Sequence, residues 1–196
     1  MSASSTPPKS ALAPAGLSLT TLLAEWPDAF ADRVLALDSL QAVQAWLQDI
    51  PLSGAAVLRS PLTALRDLEA GPSDAPLLLA VGLRALGWQP RLWSVLSAGQ
   101  GWLLVTAADE GGVVHIGGMV ADELDEGRWL LASADNTADA VRAWLNAAHL
   151  PAPTQVQGPV VLSERDGDQW PSEEDGVLAL LQALDELPDS WPKLAD

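Results

Sequence analysis

Apolar residues recur at helical spacing up to Leu86 and at alternate spacing from Pro90 to Ala132, so the chain reads as helices followed by strands. Leu19, Leu22, Leu23 and Trp26 share one face of a short helix that starts at Ser18 and is ended by Pro27. A less regular helix is expected over Pro27–Leu37. Ser39 is placed to cap a clearer one, Leu40–Leu47, with Leu40, Val43, Trp46 and Leu47 at helical spacing. Pro51–Leu58 reads as a connector or a short strand. Ser60-Pro61 is a strong helix start, with Ser as N-cap and Pro in the first turn, and Gly71 is the expected stop. Ser73 opens the next helix, Asp74–Leu86, which Gly87 terminates. Leu77, Leu78, Leu79, Ala80, Val81 and Leu83 make it apolar nearly all round, as a central buried helix would be.

The period then shortens. Pro90–Ala98, Gly101–Ala107 and Val113–Met119 are expected strands, with turns at Gly99-Gln100 and Asp109–Gly112. The acidic run Asp122–Glu126 reads as a solvated loop before a further strand, Arg128–Ala132. Asn136 or Thr137 caps a helix ending near Leu150, with Ala140, Val141, Trp144, Leu145 and Ala148 inward. Pro151–Gly158 reads as a linker, Pro159–Leu162 as a short strand, and the residues after it as a polar loop. The last helix is expected over Glu173–Leu187, with Ser172 as N-cap and Asp175 in the capping-box position. The fold class is therefore α+β: N-terminal helices and a buried central helix packed on an antiparallel meander, with a C-terminal strand and helix. Residues 1–15 are expected to form a flexible arm, because Pro and small polar side chains bury too little surface to offset chain entropy. Residues 16–150 form the globular domain, and 151–196 a C-terminal extension packed on it.

Composition narrows the function. The 196 residues are 48% hydrophobic, enough for a substantial core in one domain. Ten Lys and Arg against 26 Asp and Glu leave a net charge of −16. That excludes a generic electrostatic grip on nucleic acid and disfavours docking on an anionic bilayer. The absence of cysteine excludes disulfides, thiolate nucleophiles and Cys-based zinc sites. Two stretches without formal charge, Leu92–Ala108 and Ala143–Ser163, are broken by polar residues, so neither reads as a membrane span. The N-terminus has Ser and Pro where a signal peptide would be apolar. The expected location is cytoplasmic, or the virion if the protein is phage-encoded. Nine Trp, one Phe and no Tyr form an unusual aromatic set. Trp serves both core edges and interface hot spots, and core use is the plainer reading.

Few residues offer chemistry. Asp166-Gly167-Asp168 has the start of a calcium loop, but Trp170 and Val177 stand where an oxygen ligand and the closing Glu would be needed. No metal is expected there. His115, between Val114 and Ile116 on a half-buried strand, points away from both. As a base it would need an acid partner and a nucleophile in reach, and the local spacing offers neither, so a structural or interface role is expected. His149 sits at a helix end, where partial positive charge suits the dipole. Gly111-Gly112 and Gly117-Gly118 lack a nucleotide-binding context, and there is no GxSxG elbow. Carboxylates are plentiful enough to leave a glycosidase-like acid pair open.

The run Asp74–Val105 resembles the core of the transglutaminase-like superfamily. That family has a buried helix with an LRxLG-type end, a strand of the form PARxVxG and a strand beginning HAWVEV. Leu83-Arg84-Ala85-Leu86-Gly87 and Pro90-Arg91-Leu92 match the first parts, and Gln100-Gly101-Trp102-Leu103-Leu104-Val105 mirrors the last. Where the family keeps its nucleophilic Cys this chain has Ser73 or Asp74, and where it keeps the His this chain has Gln100. The resemblance therefore implies a relative without the thiolate–imidazole pair, and no catalytic residue is carried over.

These features lead us to expect a non-catalytic protein-binding or assembly component, such as a bacterial accessory factor or phage structural protein, without cofactors. Its partner would be a protein with a basic surface, or a second copy, with no direct nucleic-acid binding and no membrane. Trp170 and Trp191, taken as solvent-side tryptophans near polar segments, are the expected contact residues. The alternatives are a carboxylate- or metal-dependent hydrolase, and an acidic inhibitor or nucleic-acid mimic.

Overall fold

The computed structural model describes residues 16–52, 57–121 and 127–190. Five strands form one antiparallel sheet in the order β4-β3-β2-β1-β5. They are β1 (Arg91–Ser97), β2 (Gln100–Ala108), β3 (Val114–Ala121), β4 (Gly127–Ala134) and β5 (Gln155–Val161). Before them come α1 (Leu19–Leu22), α2 (Asp28–Leu35), α3 (Leu40–Gln48), α4 (Pro61–Asp67) and α5 (Ala75–Ala85). Between β4 and β5 lies α6 (Thr137–Ala147), and α7 (Glu174–Asp185) closes the described chain. The α+β reading holds.

Alternation along the strands gives the sheet two apolar faces. Trp93, Val95, Leu104, Ile116 and Val120 share one core with Val141, Trp144 and Leu145 of α6. Leu92, Val105, Ala107, Met119 and Val160 share the larger core with α5, α7 and the N-terminal helices. Helix α5 is buried from Ala75 through Leu83. It admits α3 closely because Gly82 has no side chain: a Cβ there would lie 2.7 Å from Val43 Cγ1.

Helix starts follow the capping residues. Ser18, Ser39, Ser60 and Asn136 each accept the backbone N–H three residues on. Two expected helix starts shift by one residue, at α5 because the neighbouring Asp74 takes the cap position and at α7 because Ser172 has other partners. Asp74, not Ser73, stands at the N-cap of α5, and its carboxylate accepts the Gly71 N–H at 2.5 Å and Arg59 Nε at 2.9 Å. Before α7, Ser172 Oγ accepts Trp26 Nε1 (3.1 Å) and the Ser172 carbonyl accepts Ser60 Oγ (3.1 Å), tying the C-terminal segment to α4 and the end of the α1 turn. Helix α4 stops at Asp67 rather than running to Gly71, because Leu68 takes a left-handed φ of 53°. Helix α6 ends in a Schellman motif with His149, one residue beyond the Ala148 cap, at φ 58°, where Leu150 N–H reaches Leu145 O and His149 N–H reaches Asn146 O.

The second half of the stretch expected as a linker is strand, continuous with the short strand expected after it. Strand β5 begins at Gln155 and pairs antiparallel with β1 from Leu96↔Gln155 to Arg91↔Val161, so the C-terminal segment completes the sheet. The polar loop is a 3-10 helix, Leu162–Asp168. Its Asp166 is buried and takes two bonds from Arg84, at 2.6 and 3.0 Å, joining the end of α5 to this segment.

The solvent-side placement of Trp170 is overturned: the residue is 0% exposed and belongs to the larger core. Polar neighbours in sequence misled here because the turn after the 3-10 helix folds the indole inward under α7. Trp191, like the expected arm 1–15, lies outside the described residues. Trp26, Trp46, Trp93 and Trp144 are also buried, so core use dominates among the described tryptophans. Among those residues no helix is long and apolar enough to cross a membrane.

Candidate functional site

His115 lies on β3 with Gly117 and Met119 on the face toward α5, and the β3–β4 register sets Ser133 directly opposite it. Its Nδ1 is 2.8 Å from Ser133 Oγ. Its Nε2 is 3.1 Å from Asp109 Oδ2. Asp109 is held by its own turn: Oδ1 accepts the Val113 N–H at 2.9 Å, and its carbonyl accepts the Gly112 N–H at 3.1 Å. The indole of Trp88, just past α5, stacks on the imidazole with centroids 5.0 Å apart and planes 18° apart. The absence of partners expected for His115 is thus corrected. The β2–β3 turn and the β3–β4 pairing bring both an acid and a hydroxyl to it.

The hydrogen bond from His115 holds the Asp109 carboxyl below its usual value against desolvation, with lesser help from the Val113 and Gly111 N–H groups. An ionised carboxylate only accepts, so Nε2 carries a proton. In the neutral ring Nδ1 is then the acceptor and the Ser133 hydroxyl donates to it. Carboxylate, imidazole and hydroxyl form one directed chain, with His115 mostly buried and Ser133 exposed. Such a chain orients an imidazole as a base toward a hydroxyl.

A small apolar pocket of about 110 Å³ adjoins it, lined by Leu40, Gln44, Leu79, Leu83 and Leu131, with His115 and Ser133 at its polar end. Gly117 forms part of its wall, where a Cβ would fall 2.3 Å from the δ carbons of both Leu79 and Leu131.

The positions singled out by the transglutaminase-like resemblance lie elsewhere. Ser73 and Gln100 line a separate open cleft of about 720 Å³, with Ser94, Trp102 and Asp185. Asp74 is turned inward to Arg59 and lies outside that lining. Among the described residues no group of three or more His, Asp or Glu side chains is arranged to hold a metal ion.

Basic side chains are largely committed. Arg59 and Arg84 are buried against Asp74 and Asp166, and Arg33, Arg142 and Arg165 pair with Asp49, Asp139 and Asp168 at the surface. The outer face of α7 carries exposed Asp175, Leu178, Gln182, Asp185 and Glu186 at helical spacing, with no basic residue in the helix. No family model matches the chain, and no curated protein matches it significantly.

Asp109, Ser133 and Trp88 were missed as site residues. Asp109 lies in the expected turn six residues before His115, whereas Ser133 is brought to it only by the β3–β4 register.

Proposed function

We propose that the protein is a binding or assembly component that takes a basic protein partner on the outer face of α7. The observation that carries this is the partition of charge: two arginines are spent inside on buried acids, which leaves the acidic excess facing solvent. Asp185 and Glu186 stand at the C-terminal end of α7, where the helix dipole disfavours negative charge. They cost folding stability, and a cationic partner would repay it. Leu178, 44% exposed between the acids, supplies an apolar anchor for a side chain of the partner. Gln100 and Ser73, facing one cleft, support reading α5–β1–β2 as a transglutaminase-like core used as a scaffold without its thiol and imidazole.

The test separates stability from binding. Asp185→Lys with Glu186→Lys is expected to stabilise the fold, by about 0.3–1 kcal/mol per site, because both changes favour the dipole. The same variant is expected to lose a stoichiometric partner that the wild type retains at low salt in its own host and releases at moderate salt. Retention of that partner by the variant, or a clean monomer at both salt levels, refutes the assignment.

A further inference from the structure

We propose that Ser133 is an acyl-accepting nucleophile, activated by His115 and taking small neutral esters whose acyl group fills the Leu40–Leu79–Leu83–Leu131 pocket. This goes beyond the binding role and rests on a different part of the molecule. Three observations converge. The hydroxyl, imidazole and carboxylate are linked at 2.8 and 3.1 Å, with the proton order just derived. The hydroxyl is exposed, so a substrate can reach it, while Trp88 covers one face of the imidazole. A largely apolar pocket, with four leucines in its lining, opens beside Ser133 and His115, and Gln44 of α3 brings an amide to it.

The step balances without a cofactor. Ser133 Oγ bonds to the ester carbonyl carbon as its proton passes to His115 Nδ1, and the carbonyl oxygen becomes an oxyanion that the Gln44 amide is suited to receive. The oxyanion reforms the carbonyl, the bond to the alkoxy group breaks, and that oxygen leaves with the proton from His115. Water then gives a proton to His115 and its oxygen to the acyl carbon, and Ser133 departs with the proton returned. Ester and water become acid and alcohol, with nothing oxidised or reduced. Asp109 is a positioning residue: it fixes the tautomer that leaves Nδ1 free to accept.

Size and charge set the substrate class. A dry cavity of about 150 Å³ takes benzene, so this smaller one suits an acyl group of about four to six non-hydrogen atoms. The net charge of −16 repels anionic esters and thioesters, which leaves neutral ones.

The experiment is acylation of the full chain by p-nitrophenyl acetate, butyrate and octanoate, read by nitrophenolate release, intact mass and peptide mapping. We expect one acyl group on Ser133, formed faster from the acetate and butyrate than from the octanoate. Ser133→Ala, on an exposed strand position, should fold normally by circular dichroism and carry no acyl group there. His115→Asn should slow acylation by about 100-fold or more. Asp109→Asn should slow it too, and should move the His115 ring to the other tautomer in its ¹⁵N spectrum, which is readable because the chain has only two histidines. Acyl groups scattered over other residues, or Ser133 acylated equally fast in His115→Asn, would reduce the chain to a structural clasp and overturn the proposal. Octanoate reacting as fast as butyrate would overturn the pocket assignment.

Discussion

Trp170→Ala is expected to lower the unfolding free energy by about 3–5 kcal/mol, the loss typical of truncating a buried indole. Trp170 is wholly buried and shares its core with Leu162, Val177, Leu180 and Leu184. The surroundings cannot collapse into the gap easily. Helix α7 already lies against the backbone of this turn, because Gly176 has no side chain: a Cβ there would fall 2.1 Å from Asp168 O and 2.7 Å from Trp170 N. Most of the emptied volume therefore stays a cavity. Trp170→Phe should cost clearly less, since it keeps an aromatic ring and removes a buried Nε1 donor that has no partner among the described residues. Urea denaturation of the three proteins gives both differences. A loss of about 0.5 kcal/mol or less for the alanine variant would be the behaviour of a surface residue and would restore Trp170 as a candidate contact. The predicted loss also bars Trp170→Ala as a probe of partner binding, because weakened binding would only report a damaged fold.

What could be read from the sequence and what could not divide along the distance over which each feature is determined. Ser39, Ser60 and Asn136 were legible as caps because capping is settled within three residues, and the same holds for the apolar run of α5. Ser172 and Ser73 fulfil the same local rule, yet Trp26 and Arg59, far away in sequence, decide how their segments are used. Residues 159–161 of strand β5 fall in an expected strand, but its first half was hidden for the same reason. Gln155, Gln157 and Gly158-Pro159 interrupt its apolar pattern, and only pairing with β1 makes it a strand. The site was the least legible part. His115 could be placed on a strand, but its acid waits in the preceding turn and its hydroxyl on the next strand, so nothing near it in sequence gives it a role. Register, which a periodicity reading lacks, is what assembles Asp109, His115 and Ser133.

The second large effect is expected at Arg59. Arg59→Met should cost about 3–5 kcal/mol near neutral pH, because it leaves the Asp74 carboxylate buried and without its countercharge. Burial already raises the Asp74 carboxyl above its ordinary value, against the Gly71 N–H and Arg59, which pull the other way. Desolvation likewise works against the charge on Arg59, but Asp74, with Asp67 and Glu69 at the rim, more than offsets it. Removing Arg59 leaves Asp74 an exit that the arginine would not have: it can take a proton. The sign follows from linkage. A carboxyl whose folded value is raised binds protons more readily folded than unfolded, so it favours folding increasingly as pH falls from the folded value to the ordinary one of about 3.9. The cost of Arg59→Met should therefore shrink on acidification. Asp109, Asp139 and Glu174, whose carboxyls are lowered, act in the opposite sense and lose their contribution as pH falls through their folded values. They are common to wild type and variant, so the difference between two denaturation series over pH leaves the acids that face Arg59, which are the buried Asp74 and, at the rim, Asp67 and Glu69. Adding Asp74→Asn to Arg59→Met should recover much of the loss and flatten the pH dependence of that difference. The amide oxygen still accepts the Gly71 N–H that starts α5, and no charge remains to bury. A loss for Arg59→Met that does not vary with pH would mean that Asp74 stays ionised after the arginine is gone, held by water entering the space it vacates.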